Sequence, residues 1–161
     1  MKFLKSVLLI ATLATLVQAQ EWIHWSASQG VPKFQAPHGR EADYQPVYII
    51  RSVFNGEMTP GKFNGGWGAA FVAQQGGEHV VDNFEFFTAT NVKWLPANAG
   101  SNHPNPVVGG ADSAGVKFYI GRARYNGGLI PGKIHVPAGG LFIPFGVKEI
   151  YYRDYEQLVY A

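Results

Sequence analysis

Two acid–lysine pairs recur along this chain at one spacing. Glu41 precedes Lys62 by 21 residues, and Asp112 precedes Lys133 by the same 21. A carboxylate can accept two hydrogen bonds at once, and an ammonium can donate three. Together they suit a polyhydroxylated ligand, whose neighbouring hydroxyls offer both protons and lone pairs. An aromatic face would cover the C–H surface of such a ligand, and Trp67, Tyr44 and Tyr125 are candidates. A plainer account competes with this one. Both lysines follow Pro-Gly, so they can sit just past a turn, with the acids as solvated loop residues. Each aromatic taken alone is more often packing than platform. The residue types by themselves leave both accounts open.

The pairs belong to a larger repetition. Residues 48–62 read YIIRSVFNGEMTPGK and residues 119–133 read YIGRARYNGGLIPGK, 71 residues on. Without a gap they share Tyr48/Tyr119, Ile49/Ile120, Arg51/Arg122, Asn55/Asn126, Gly56/Gly127, Pro60/Pro131, Gly61/Gly132 and Lys62/Lys133. The same offset pairs Phe71 with Phe142, Glu78 with Glu149 and Glu85 with Glu156. A unit this long exceeds the roughly 20–50 residues of most solenoid repeats. Two copies therefore predict one globule with pseudo-two-fold symmetry. Arg51, Arg122, Glu85 and Glu156 read as arginine–carboxylate forks that stitch strands. Glu78 and Glu149 follow Gly-containing turns, which places them nearer a ligand.

Other chemistries find little support. The chain has no cysteine, which excludes thiol catalysis and Cys-based metal sites. His24, His38, His79, His103 and His135 show no metal-ligand spacing. Ala111-Asp112-Ser113-Ala114-Gly115 lacks the first glycine of a nucleophile elbow. No single carboxylate pair stands out for hydrolysis. We therefore expect no catalytic residues, no metal and no cofactor.

Residues 1–19 read as an export signal. Lys2 and Lys5 precede an apolar run from Val7 to Leu16, and Val17-Gln18-Ala19 suits cleavage after Ala19. The run is too short to span a bilayer, and no later segment is long enough. The expected location is extracellular, with a secretory vesicle as the other destination. Without Lys2 and Lys5 the acids and bases balance, so no basic field for nucleic acid exists.

The remaining chain, 20–161, reads as a single all-β domain. Short apolar and β-branched runs occur at 47–53, 69–73, 84–90, 118–123, 141–145 and 157–160, divided by Gly clusters. Asn55-Gly56 and Asn126-Gly127 are hairpin signals. Hydrophobic content of 47% and aromatic content of 14% favour a packed fold despite 20 glycines and 10 prolines. No window carries a capped helical stripe.

The words Tyr119-Ile-Gly-Arg122, Pro131-Gly-Lys133 and Tyr155-Glu-Gln-Leu158 resemble the DM-nine repeat family. That family's signature runs from a tryptophan through Gly-Gly-x-Asp to these words. The second repeat matches at Trp94, Gly109-Gly110-Ala111-Asp112 and Glu149. The first matches at Trp22 or Trp25, Tyr48, Arg51, Pro60-Gly61-Lys62, Glu78 and Phe84-Glu85. The resemblance implies an all-β globule of two interlocked, pseudo-symmetric repeats of short antiparallel strands, about 22–92 and 93–161. It also implies a lectin of mannose-type glycans, concerned with microbial surfaces in innate immunity, in which Asp112 and Lys133 contact the sugar. Two sites per chain, and a homodimer, would add avidity. By the offset Glu41 and Lys62 form the counterpart site. Glu41 departs from the pattern, with Asp43 as a substitute, so the second site ranks above the first. Val147 stands where the family has glycine. The alternative reading is a secreted or vesicular protein-interaction module without sugar binding.

Overall fold

A computed structural model describes residues 21–33 and 36–161. The proposed export signal lies outside the described residues. The described chain is almost wholly β, and every strand pairing is antiparallel. The strands are β1 (Trp22–Ser26), β2 (Gly39–Arg40), β3 (Pro46–Phe54), β4 (Glu57–Asn64), β5 (Ala69–Gln74), β6 (Gly77–Val81) and β7 (Asn83–Phe87). Seven more follow: β8 (Val92–Asn98), β9 (Val108–Ala111), β10 (Lys117–Tyr125), β11 (Gly128–His135), β12 (Gly140–Phe145), β13 (Lys148–Tyr152) and β14 (Asp154–Tyr160). Strands β3 to β6 recur as β10 to β13 at the 71-residue offset, end for end. At the outer strand the offset becomes 72. Trp22 of β1 faces Phe87, and Trp94 of β8 faces Leu158. Trp22, not Trp25, is therefore the counterpart of Trp94.

The hairpin signals form the turns that their residues dictate. Asn55 (φ 46°) and Gly56 (φ 80°) join β3 to β4, and Asn126 (φ 48°) and Gly127 (φ 79°) join β10 to β11. Two consecutive positive φ values match the right-handed twist of the flanking strands, which Asn-Gly tolerates.

The halves interlock through two short strands. β2 pairs with β3 of its own half and, at Arg40↔Leu129, with β11 of the other. β9 does the same between β10 and β4, at Met58↔Ala111. The tips of the β5–β6 and β12–β13 hairpins meet at Gly77↔Lys148. The pairing β3–β2–β11–β12–β13–β6–β5–β4–β3 thus closes into a ring, leaving few free edges. Gly39 and Gly110 make the crossings possible. A Cβ at Gly39 would run into the carbonyl of Leu129, and one at Gly110 into that of Met58.

Three apolar clusters follow from this. One belongs to the first half (Tyr48, Phe63, Phe84, Phe86) and one to the second (Ile130, Ile134, Leu141, Ile143). The third lies between them and draws on both, with Trp22, Ile49 and Phe87 against Val107, Ile120 and Leu158.

The Pro-Gly-Lys words are not turns, contrary to the plainer sequence account. Both lie inside strands, β4 and β11. Pro60 falls where the outer neighbour of β4 changes from β9, at Met58, to β5, at Gly61. Its missing N–H therefore breaks no continuous ladder. Gly61 is required because a Cβ there would meet the carbonyl of Phe71. Gly132 stands in the same relation to Phe142. The lysines are consequently in strands at the closed heart of the fold, and Lys62 is only 2% exposed.

Candidate functional site

The 71-residue offset places equivalent polar groups together in each half. In the first, Lys62 and Asn64 leave the same face of β4, and Glu41 arrives from the segment after β2. Lys62 Nζ donates to Glu41 Oε1 at 3.2 Å, and Asn64 Nδ2 donates to the same oxygen at 3.1 Å. Glu78, from β6, lies 3.6 Å from Lys62 Nζ. A buried ammonium flanked by two carboxylates keeps its charge compensated. Phe71 and Phe145 lie under that ammonium, 5.6 and 4.8 Å from it. Phe145 belongs to the other half.

Above this pair a groove of about 180 Å³ opens to solvent, lined by Glu41, Ala42, Asp43, Asn64, Trp67 and Phe145. Trp67 is 70% exposed and meets Phe71 edge-on at 6.3 Å. Its loop is tied down because Asn64 Oδ1 accepts the amides of Gly66 and Trp67. Asn64 therefore fixes both the acid and the aromatic wall. Among the described residues Glu41 Oε2 makes no hydrogen bond, and Glu41 lines the groove. A fixed acceptor beside an exposed ring is what a polyhydroxylated ligand needs.

The second half keeps the positions but not the partners. Asp112 and Lys133 neither hydrogen-bond nor ion-pair with each other. Lys133 Nζ lies 3.4 Å from Glu149 Oε2, a buried oxygen that no hydrogen bond satisfies. Asp112 Oδ2 pairs with His135 Nε2 at 3.1 Å, and its Oδ1 accepts the amides of Val116 and Ala114. The Val116 amide first, then Ala114 and His135, hold the Asp112 carboxyl below its usual range against some desolvation. The carboxylate thus closes its own loop. Phe118 separates the two groups, edge-on to His135 at 5.2 Å and 5.2 Å from Lys133 Nζ. In this structure Glu41 and Lys62 form an acid–lysine contact, and Asp112 and Lys133 do not. Aspartate is one methylene shorter than glutamate, and His135 intercepts it.

The other expectations resolve plainly. Arg51 Nε donates to Glu85 at 2.5 Å and its guanidinium covers Trp22; Arg122 Nε donates to Glu156 at 2.6 Å and its guanidinium covers Trp94. These are strand stitches. Glu78 accepts the Val147 amide across the hairpin tips, besides facing Lys62. Asp43 Oδ1 accepts the Gln45 amide, and so shapes the groove loop. Tyr44 is 77% exposed beneath the Arg40 guanidinium, while Tyr125 packs on Phe145 and Tyr152. Asn64 and His135 were missed by sequence reasoning, although the offset pairs them. Phe145 carries no such signal, since its counterpart is Gln74.

A search of curated proteins found no match to this chain. The family model of the DM9 repeat matches residues 41–152. That span runs from Glu41 to the end of β13 and includes both buried lysines, both Pro-Gly-Lys words and the paired hairpin tips. The chain belongs to the DM9 repeat family.

Proposed function

We propose that this protein is a secreted, lectin-like carbohydrate-binding protein that takes mannose-type glycans and does not turn them over. The observation that carries this reading is the groove at Glu41. A carboxylate fixed by Lys62 and Asn64 stands beside the exposed Trp67. Glu41 accepts from two neighbouring hydroxyls, the loop with Asp43 supplies the polar rim, and the indole covers the sugar's C–H face. Lys62 is too deep to meet solvent and acts through Glu41, holding its charge and direction. One small polar groove binds weakly, so a homodimer on a repetitive microbial glycan would gain by avidity.

A second reading, a secreted or vesicular protein-interaction module, draws on the exposure of Tyr44 and Trp67, residue types common at interfaces. A glycan array with calorimetry against mannose separates the two. Heat on mannose binding in the wild type, lost in Glu41→Gln and Trp67→Ala, supports the lectin. Silence across mannose-bearing glycans at millimolar sugar supports the interaction module. Export is tested by deleting residues 1–19, after which the protein should stay inside the producing cell.

A further inference from the structure

A cavity lies on the far side of the sheet from Lys133. It measures about 570 Å³ and is bounded by the loop 99–103, by Val116 and Tyr119, and by Val136 and Pro137. Gln157 lines it. Alternation along β10 and β14 sets Tyr119 and Gln157 on the face opposite Ile120 and Glu156, so this cavity is separate from the acid–lysine sites.

The cavity exists because the two halves are not identical. Trp25 faces Phe84 across β1 and β7; its counterpart is Ala97, which faces Tyr155 across β8 and β14. Phe86, in the strand beside it, has Gln157 as counterpart. In the first half Trp25 meets Phe86 edge-on at 6.1 Å, and Tyr48 closes on the same ring at 6.0 Å. Ala27 and Val31 complete that packing. In the second half an indole is replaced by a methyl and a phenyl by a carboxamide, and the space stays open.

Gln157 is 6% exposed, yet its carboxamide makes no hydrogen bond among the described residues. The carboxamide lines the cavity, where a ligand can supply hydrogen-bond partners in place of water. Its N–H can donate to a ligand carbonyl and its carbonyl can accept a ligand N–H, and a trans acetamido group meets it through one of these bonds. The walls beside it, Val116, Val136 and Pro137, accept a methyl group. Tyr119 lines the cavity as well, with Asn102, which is exposed and makes no hydrogen bond among the described residues. We propose that this cavity is a second ligand site, which takes the acetamido group of an N-acetylated amino sugar. The acetamido amide pairs with Gln157, its methyl lies on the valine–proline wall, and the pyranose ring covers Tyr119. The proposal is independent of the groove at Glu41.

The test is calorimetry of the whole chain with N-acetylglucosamine and with glucose, which lacks only the acetamido group. The wild type should bind the acetamido sugar at least about tenfold more tightly, since an unmatched buried polar group discriminates strongly. Gln157→Leu should lose that preference by about the same factor while keeping its melting temperature, because the other half tolerates Phe at this position. Ala97→Trp should block binding by refilling the space. If that variant fails to fold, Tyr119→Ala weakens binding in its place. Absence of binding at millimolar sugar, equal affinity for glucose, or retention of the preference by Gln157→Leu would each overturn the proposal.

Discussion

Lys62 shows how a buried charge is kept, and what its loss should do. Its ammonium serves Glu41 and Glu78 together, and both carboxylates are themselves only 10% exposed. Lys62→Ala would leave two acids in a closed site without a cation, at a cost of about 3–5 kcal/mol. Chemical denaturation should show this as a fall in midpoint. Loss of sugar binding in that variant would therefore not identify a contact. Trp67→Ala is the cleaner probe, because an exposed side chain should change stability by less than about 0.5 kcal/mol while removing the groove wall. His38 gives a pH signature. Burial, and then the Arg122 charge, lower its pKa from 6.5 to about 4. The unfolded chain therefore binds the proton more readily between those values, and stability rises with pH across that window. The contribution is complete above pH 6.5 and is lost as pH falls towards 4, a change of a few kcal/mol, on the order of 3. Thermal melts at pH 7 and pH 4 should differ less in His38→Phe than in the wild type, since Phe carries no proton to the same aromatic neighbours, Phe87 and Trp94.

At the scale of elements, the hairpin tips carry a local conflict. The β5–β6 turn uses Gln75 (φ 51°) and Gly76 (φ 83°), a residue pair suited to positive φ at the second position. Its counterpart between β12 and β13 uses Gly146 (φ 59°) and Val147 (φ 64°). A β-branched residue in the left-handed region is strained by about 1–2 kcal/mol. Val147 is 78% exposed, so packing does not repay this. What holds it is the cross-tip bonding, in which the Glu78 amide donates to the Val147 carbonyl and the Glu149 amide to that of Gly76. Val147→Gly should raise the unfolding free energy by about 1 kcal/mol, after the greater chain entropy of glycine is deducted. A calorimetric melting point that falls instead would show that the strain is absent.

For the whole molecule, the decisive contacts are the two crossings where one half borrows a strand from the other. Gly39 and Gly110 permit them, and no larger residue fits against Leu129 and Met58 without moving the backbone. Gly39→Ala or Gly110→Ala should destabilise the protein by about 1–3 kcal/mol or more, as overpacking does. The effect should not stay in one half. Each crossing strand closes both ladders, and the central cluster contains residues of both repeats. Hydrogen exchange should therefore show protection lost together in β4 and β11, with one unfolding transition. Two separate transitions would mean that the halves fold independently.

The sequence alone determined the all-β class, the pseudo-symmetric repetition, the hairpins at Asn55-Gly56 and Asn126-Gly127, and the arginine–carboxylate stitches. These follow from local chemistry and from an offset that survives in every paired word. The family was legible for the same reason. Tertiary structure decided the rest. Pro-Gly reads as a turn until the neighbours of β4 and β11 are known, because the permitted site for a strand proline depends on where another strand ends. The partners of Asp112 and Lys133 were invisible because His135 and Glu149 reach them through folding, not through spacing. The groove at Glu41 takes Phe145 from the other half, and the Gln157 cavity arises from Ala97 on a neighbouring strand. Repetition reports which positions are equivalent; only packing reports where equivalent positions acquired different neighbours.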